Sequence, residues 1–262
     1  MNTPVQAKIH EPRVNELATG FFQFVGVDRS AHVYVIRGKR RTVMLDSGLP
    51  ASRRYLEACL RQVGMEAKDL DMLILTHEHV DHAGGAPYFS QFCVSAAHPH
   101  AANKLRMVDE FSMMKGAFEQ DVTAFETDIL IDEGCSFDLG GYVLDVISTP
   151  GHCSGSICLL ERNTGLMVTA DTIMANGIVG GVLHSGNVSD YITSLERLKR
   201  FNIKGILPGH GKVSFNPQED LQTGISRLQG MLDDSHSLFN TLRNTNKGFD
   251  DVMRSLRDLN VK

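Results

Sequence analysis

Ten residues, Thr76-His77-Glu78-His79-Val80-Asp81-His82-Ala83-Gly84-Gly85, hold three histidines and two acids directly behind the apolar run Met72-Leu73-Ile74-Leu75. Neutral imidazole and carboxylate are the ligands that Zn²⁺, Mn²⁺ and Fe accept. His77 and His79 are two apart, a spacing that points both side chains the same way in an extended segment. Asp81 and His82 follow at once, and Gly84-Gly85 lets the backbone turn tightly.

Three more ligand-type residues stand where an apolar run gives way to a loop. They are His152 in Thr149-Pro150-Gly151-His152, Asp171 in Val168-Thr169-Ala170-Asp171, and His210 in Leu207-Pro208-Gly209-His210-Gly211. Loops at strand ends are where α/β sheets build sites. The set is large enough for two metal ions, and a carboxylate can bridge two cations where an imidazole does not. Satisfied or surface histidines account for His10, His98, His100 or His236 more readily than for this group.

The order HxHxDH, strand-end GH, strand-end Asp and late PGHG resembles the metallo-β-lactamase superfamily, and Met44-Leu45-Asp46-Ser47-Gly48 is similar to its "LIDTG" element. The resemblance spans roughly residues 20–215. It implies an α+β fold, a four-layer αβ/βα sandwich with the site at one edge between two sheets. It implies His77, His79 and His152 as ligands of one metal, Asp81, His82 and His210 as ligands of a second, and Asp171 as the bridge. Asp46 is then the partner that orients a metal-bound histidine. The implied cofactors are two divalent ions, zinc first, with iron or manganese as alternatives.

Two such cations share a water of lowered pKa, so the expected activity is hydrolysis with Asp81 and Asp171 as the catalytic carboxylates. Thr76–Gly85 and Thr149–Cys158 are similar to the glyoxalase II-like branch, which cleaves thioesters, while Thr172–Gly181 departs from true glyoxalase II. Lactonases that open acyl-homoserine lactones share the same ligand set. The expected reaction is therefore cleavage of an ester-like acyl bond, thioester or lactone. The alternatives are a mononuclear iron oxidoreductase of the persulfide dioxygenase type, a phosphodiesterase, and a regulatory or binding protein that retains the metal site. His184 and Tyr191 are candidate substrate contacts, Tyr191 as a donor to an oxyanion. Glu78, between two ligands, is expected to face away.

These side chains need strands to carry them. Phe21–Val25, His32–Ile36 and Thr42–Leu45 read as strands from β-branched and aromatic content. Pro50–Val63 reads as a helix with Leu56, Leu60 and Val63 in phase. Ala86–Gln91 reads as a short helix, Phe92–Ala96 as a strand, and residues 99 to about 127 as helix. That last stretch carries Met107, Phe111, Met113, Met114 and Phe118, and it reads as a core helix or as an adaptable wall over a substrate. Strands resume over 128–170, Tyr191–Phe201 is amphipathic with Leu195 and Leu198 inward, and Ile203–Leu207 is a last strand. Beyond Phe215 the chain reads as helical. The domains expected are residues 1–215 for the sandwich and 216–262 for a helical extension on or near the site.

Composition sets outer limits. A net charge of −5 over 262 residues offers no general attraction to nucleic acid. No apolar stretch approaches the roughly 20 residues that span a bilayer. The polar Met1–Glu16 shows no leader, and five scattered cysteines fit free thiols. The expectation is a cytoplasmic protein acting on a small molecule with an apolar acyl part, compatible with a homodimer, and with neither nucleic acid nor membrane as partner.

Overall fold

The computed structural model describes the backbone of residues 10–244 and the side chains of residues 10–234. Seven strands form the first sheet in sequence order: β1 (Val14–Ala18), β2 (Phe21–Phe24), β3 (Val33–Arg37), β4 (Thr42–Leu45), β5 (Met72–Leu75), β6 (Val94–Ala97) and β7 (Ile129–Leu130). The first four pair antiparallel, and β4 to β7 run parallel. The second sheet holds β8 (Ser136–Asp138), β9 (Val143–Ser148), β10 (Ile157–Glu161), β11 (Leu166–Ala170) and β12 (Gly205–Pro208), in the order β12-β11-β10-β9-β8. All its pairs are antiparallel except β11 with β12.

Helices cover the outer faces: α1 (Arg53–Gln62), α2 (Val80–Ala83), α3 (Ala86–Phe89), α4 (Pro99–Met107), α5 (Lys115–Phe118), α6 (Val188–Leu198) and α7 (Pro217–Asn244). The strand sequences explain the layering. Side chains alternate faces along a strand, and a strand buried on both sides is apolar throughout. In β3, Val33 and Val35 face the helices while Tyr34 and Ile36 face the other sheet. In β10, Ile157 and Leu159 enter the layer between the sheets while Cys158 and Leu160 pack under α6 and α7. Three cores result: α1, α3 and α4 on the first sheet, sheet on sheet, and α6 with α7 on the second. This is the expected four-layer αβ/βα sandwich.

The expected helix over 99–127 is not formed as one piece. It stops at Met107, where Val108 turns left-handed at φ +50°, and only Lys115–Phe118 is helical again before β7. Met107 and Phe111 are 72% and 68% exposed, so no continuous apolar face exists to hold a helix, and Asp109 Oδ1 instead accepts the Ser112 N–H at 3.1 Å in a turn. Strand β1 lies partly in the stretch read as a polar N-terminus, and it pairs Val14 with Phe24. The helix expected beyond Phe215 is present to Asn244, and the remainder of that expectation lies outside the described residues.

Leu221, Ile225 and Leu228 fasten α7 to Leu195 and Leu198 of α6. Leu228→Ala should cost about 3 kcal/mol of unfolding free energy in urea titration, because a buried leucine loses its transfer energy and leaves a cavity. Met231→Ala, at a side chain 46% exposed on the same helix, should stay within about 0.5 kcal/mol of the parent.

Candidate metal centre

Every ligand-type residue singled out above follows the C-terminal end of a strand. Asp46 follows β4, the run from His77 to His82 follows β5, His152 follows β9, Asp171 follows β11 and His210 follows β12. The strand pairing makes these five ends point to one edge of the sandwich. Four of the residues that meet there come from the first sheet and three from the second, with Asp46 behind them. The apolar strands end where the loops begin, so the loops, and not the cores, take the polar side chains.

The first group is His77, His79 and His152, each at most 2% exposed. His77 Nε2 lies 3.0 Å from His79 Nδ1, and His152 Nε2 lies 3.1 Å from the same atom. The second ring nitrogens fix the tautomers. His152 Nδ1 faces the Gly181 carbonyl at 2.9 Å and so carries the proton there. His77 Nδ1 faces Thr76 Oγ1 at 3.0 Å, and that hydroxyl spends its own proton on Asp46 Oδ2 at 2.8 Å. Both Nε2 lone pairs are thus aimed at His79 Nδ1, which has at most one proton to offer. A cation among the three satisfies all of them.

The second group is Asp81, His82 and His210. Asp81 Oδ2 is 3.0 Å from His210 Nε2, and His82 Nε2 is 3.8 Å from Asp81 Oδ2. His82 Nδ1 donates to Asp46 Oδ2 at 2.8 Å, which leaves the Nε2 lone pair facing the group. This is the carboxylate–histidine arrangement that orients a metal-binding imidazole. Asp171 stands between the groups. Its Oδ1 lies 3.3 Å from His82 Nε2 and 3.8 Å from His210 Nε2, while its Oδ2 lies 3.7 Å from His152 Nε2.

Two observations fit this set to cations. His82 Nε2 and Asp171 Oδ1 are close, yet each is buried without a hydrogen-bond partner among the described residues. Buried polar atoms that stay unpaired call for an explanation, and donor atoms aimed at a shared point supply one. The electrostatics agree. Burial, followed by the neighbouring imidazoles, holds His77 and His79 well below the usual histidine range, so both are neutral, ligand-ready bases. Burial lowers His82 too, but Asp171, Asp81 and Asp46 outweigh it and push that imidazole well above its usual value, the mark of a field that favours positive charge. Burial would raise Asp171, but His82 and then His152 and His210 overcome it and hold its carboxyl below the carboxylate range. Gly209 has to be glycine here, since a Cβ would fall 2.5 Å from His82 Cε1 and 2.6 Å from Asp171 Oδ1.

Two expected substrate contacts are placed differently from each other. Tyr191 does not reach the site. It is fully buried, and its hydroxyl lies 2.8 Å from the carbonyls of Asp171 and Thr172 and accepts the Gly180 N–H at 3.2 Å. Helix α6 carries it behind the loop, so it braces the Asp171 backbone and has no donor left for an oxyanion. His184 is exposed at the rim, its ring 3.4 Å from that of Phe111.

Sequence reading passed over two supports. Glu78 does face away from the ligands, but it is fully buried, paired with Lys104 and accepting from Ser185 Oγ at 3.0 Å. A charge inside an otherwise buried ligand run was the available signal. His32 accepts the Gly26 N–H at 2.8 Å through Nδ1, and its Nε2 donates to the Gly211 carbonyl at 2.8 Å, which steadies the loop of His210. Nothing in its neighbours marks it out, because the contact is 179 residues distant in the chain.

Asp46→Asn tests the orientation of His82. The Asn oxygen must accept the fixed Thr76 N–H in place of Asp46 Oδ1, a bond of 2.7 Å. The amide nitrogen then faces His82 Nδ1 and forces the proton to Nε2. Affinity for one of two bound zinc ions should fall about 10- to 100-fold in competition with a chromogenic chelator. Parent-like affinity at both sites would contradict the assignment.

The sequence and the fold are both similar to known proteins. A family model described as the Metallo-beta-lactamase superfamily matches residues 26–210. The acyl-coenzyme A thioesterase MBLAC2 of Gallus gallus is 29% identical over 230 residues, which cover 77% of this chain and 79% of that protein. The atrochrysone carboxyl ACP thioesterase of Aspergillus fumigatus is 24% identical over 77% of this chain and 57% of its own length. Among solved structures, a metallo-beta-lactamase family protein of Thermus thermophilus superposes with a TM-score of 0.72 at 18% identity, over 85% of this chain and 84% of that one. With the ligand-bearing loops on one edge of an αβ/βα sandwich and a family match over most of its length, this chain belongs to the metallo-β-lactamase superfamily.

Proposed function

We propose that this chain is a dinuclear metal-dependent hydrolase that cleaves an acyl thioester, with a lactone as the other acyl bond open to the same attack. The observation that carries this reading is Asp171, one carboxylate whose two oxygens face two separate groups of buried ligand atoms. His77, His79 and His152 would hold one cation, Asp81, His82 and His210 the other, and Asp171 both. When bound, two divalent ions, zinc first and iron or manganese otherwise, supply Lewis acidity and a water acidified towards ~7. The oxygen of water bonds to the acyl carbon, the C–S bond breaks, and the sulfur leaves with a proton as a thiol. Asp81 and Asp171 are the carboxylates beside the reacting atoms and are the groups able to pass that proton. Two relatives bearing thioesterase names favour the thioester over the lactone.

In this reading residues 1–215 form the catalytic unit and 216–262 an extension close to the site. Ile173, two residues beyond Asp171, packs with Leu221 and Ile225 of α7, so the extension braces the loop that carries the shared carboxylate. No helix among the described residues is long and apolar enough to cross a membrane. The cysteines Cys59, Cys93, Cys135, Cys153 and Cys158 are all free, which supports a reducing, cytoplasmic setting.

Metal content per chain, measured by ICP-MS on protein purified without added metal or chelator, should be near two, with zinc dominant. Thiol release from acyl-coenzyme A should follow metal loading and stop on chelation. Asp171→Ala should lower kcat/KM about a thousandfold, the loss of several kcal/mol of charge stabilisation. About one iron per chain, with oxygen consumed on a sulfur substrate, would overturn the proposal.

A further inference from the structure

Glu78 stands between the candidate ligands His77 and His79 and is fully buried. Its carboxylate faces away from both, and each of its oxygens is used. Oε1 accepts from Lys104 Nζ and, at 3.0 Å, from Ser185 Oγ, while Oε2 accepts from the Cys153 thiol at 3.3 Å.

All three partners lead to His152, the third candidate ligand of the same group. Cys153 is the next residue in the chain. Lys104 Nζ also donates to Ser154 Oγ at 2.8 Å, and Ser185 Oγ accepts the Ser154 N–H at 3.1 Å. Ser185 belongs to residues 181–187, which hold His152 from its other side. The Gly181 carbonyl accepts from His152 Nδ1 at 2.9 Å, the Leu183 N–H donates to the His152 carbonyl at 3.0 Å, and the Asn187 N–H donates to the Gly151 carbonyl at 2.9 Å. The packing leaves no slack. A Cβ on Gly155 would fall 2.8 Å from Glu78 Oε2, and one on Gly186 would fall 2.4 Å from the His152 carbonyl oxygen.

This tie crosses from one sheet to the other. Glu78 follows β5 of the first sheet, whereas residues 151–156 and 181–187 belong to loops of the second. The first group of candidate ligands is divided in the same way, with His77 and His79 on one side of the seam and His152 on the other. Its three donors keep their spacing only while the two loops keep theirs. An ion pair taken out of water costs desolvation and is weak evidence of net stabilisation, so fixed geometry is the better account of Glu78 with Lys104. The second group takes its support elsewhere, from Asp46 beneath His82 and from His32 beside the loop of His210.

We propose that Glu78 is a positioning residue for the first cation: held by Lys104 and Ser185, it sets His152 against His77 and His79 and so fixes the affinity of that site alone. The inference rests on the two-cation reading above and is independent of the reaction. Contacts that orient a ligand from behind change metal affinity about 10- to 100-fold when removed.

The test isolates each site in the full-length protein. His210→Ala leaves the first group complete, and His152→Ala leaves the second. In each background Glu78→Met and Lys104→Met are made together, which removes the pair without altering net charge, so a changed field does not imitate lost geometry. Zinc affinity, by competition with a chromogenic chelator, should fall about 10- to 100-fold in the His210→Ala background and stay unchanged in the His152→Ala one. Ser185→Ala removes one neutral donor and spares the ion pair, so it serves even if the double change disturbs folding. It should lower the same affinity about threefold, again in the His210→Ala background only. Parent-like affinity of the first site, or an equal fall in both backgrounds, overturns the positioning role and leaves the two-cation reading standing. If the parent holds two zinc ions but neither background holds one, the two successive affinities of the parent decide. One weakened by the substitutions supports the inference, and both or neither weakened overturns it. A parent that takes up no cation overturns the two-cation reading and this inference with it.

Discussion

Asp46 takes the Thr76 N–H on one oxygen and the Thr76 hydroxyl and His82 Nδ1 on the other. Thr76 and His82 are the first and last residues of the ligand run, so a single carboxylate closes that run into a loop of fixed shape. It does so from a left-handed φ of +62° at the end of β4, a conformation an aspartate tolerates better than most residues. The rest of the centre hangs on this contact. It sets the tautomer of His82 directly and that of His77 through the Thr76 hydroxyl, and so decides which nitrogens present lone pairs. The buried negative charge it adds also strengthens the field that favours a cation beside His82.

The clustering histidines and aspartates were legible in the sequence as candidate ligands because their chemistry is concentrated. A run with three histidines, two of them at spacing two, and three further residues at the ends of apolar strands have few structural explanations. The layers were legible for the same reason: buried or largely buried strands such as Met72–Leu75 and Ile157–Glu161 are apolar along their whole length or nearly so. What failed was anything decided by long-range contact. Tyr191 has the right chemistry for an oxyanion donor, but α6 delivers it behind Asp171. The segment 99–127 is rich in helix formers, yet it breaks at Val108 because no apolar face runs its length. Glu78 reads as a spacer between ligands and proves to be the tie between two loops, since its partners Lys104 and Ser185 lie 26 and 107 residues away.

The second ring of contacts is mostly backbone and small polar groups, with few large side chains. Gly181 and Gly211 offer carbonyls to His152 and His32, and Gly209 offers its own to the His32 N–H while clearing space beside His82. Such contacts carry little sequence information but fix direction tightly, because a carbonyl in a packed turn cannot reorient. Precision in this centre therefore comes from loop geometry, whereas ligand identity comes from side chains.

The candidate ligands are divided between the two sheets, with His77, His79, Asp81 and His82 from one and His152, Asp171 and His210 from the other. Apart from them, the sheets are joined by the apolar layer between them, which has no directional preference, and by scattered hydrogen bonds such as those from Tyr34 to the Pro208 carbonyl and from the Ile157 N–H to the Thr76 carbonyl. Any ion held by both sets acts as a rivet through the sandwich. Ligand bound only by the folded chain adds about 4 kcal/mol at a thousandfold excess over its Kd, and here that energy falls on the seam between the halves. Metal supply would then govern more than turnover. A cell short of the ion would hold a protein whose two layers are fastened less firmly along the edge where these side chains meet.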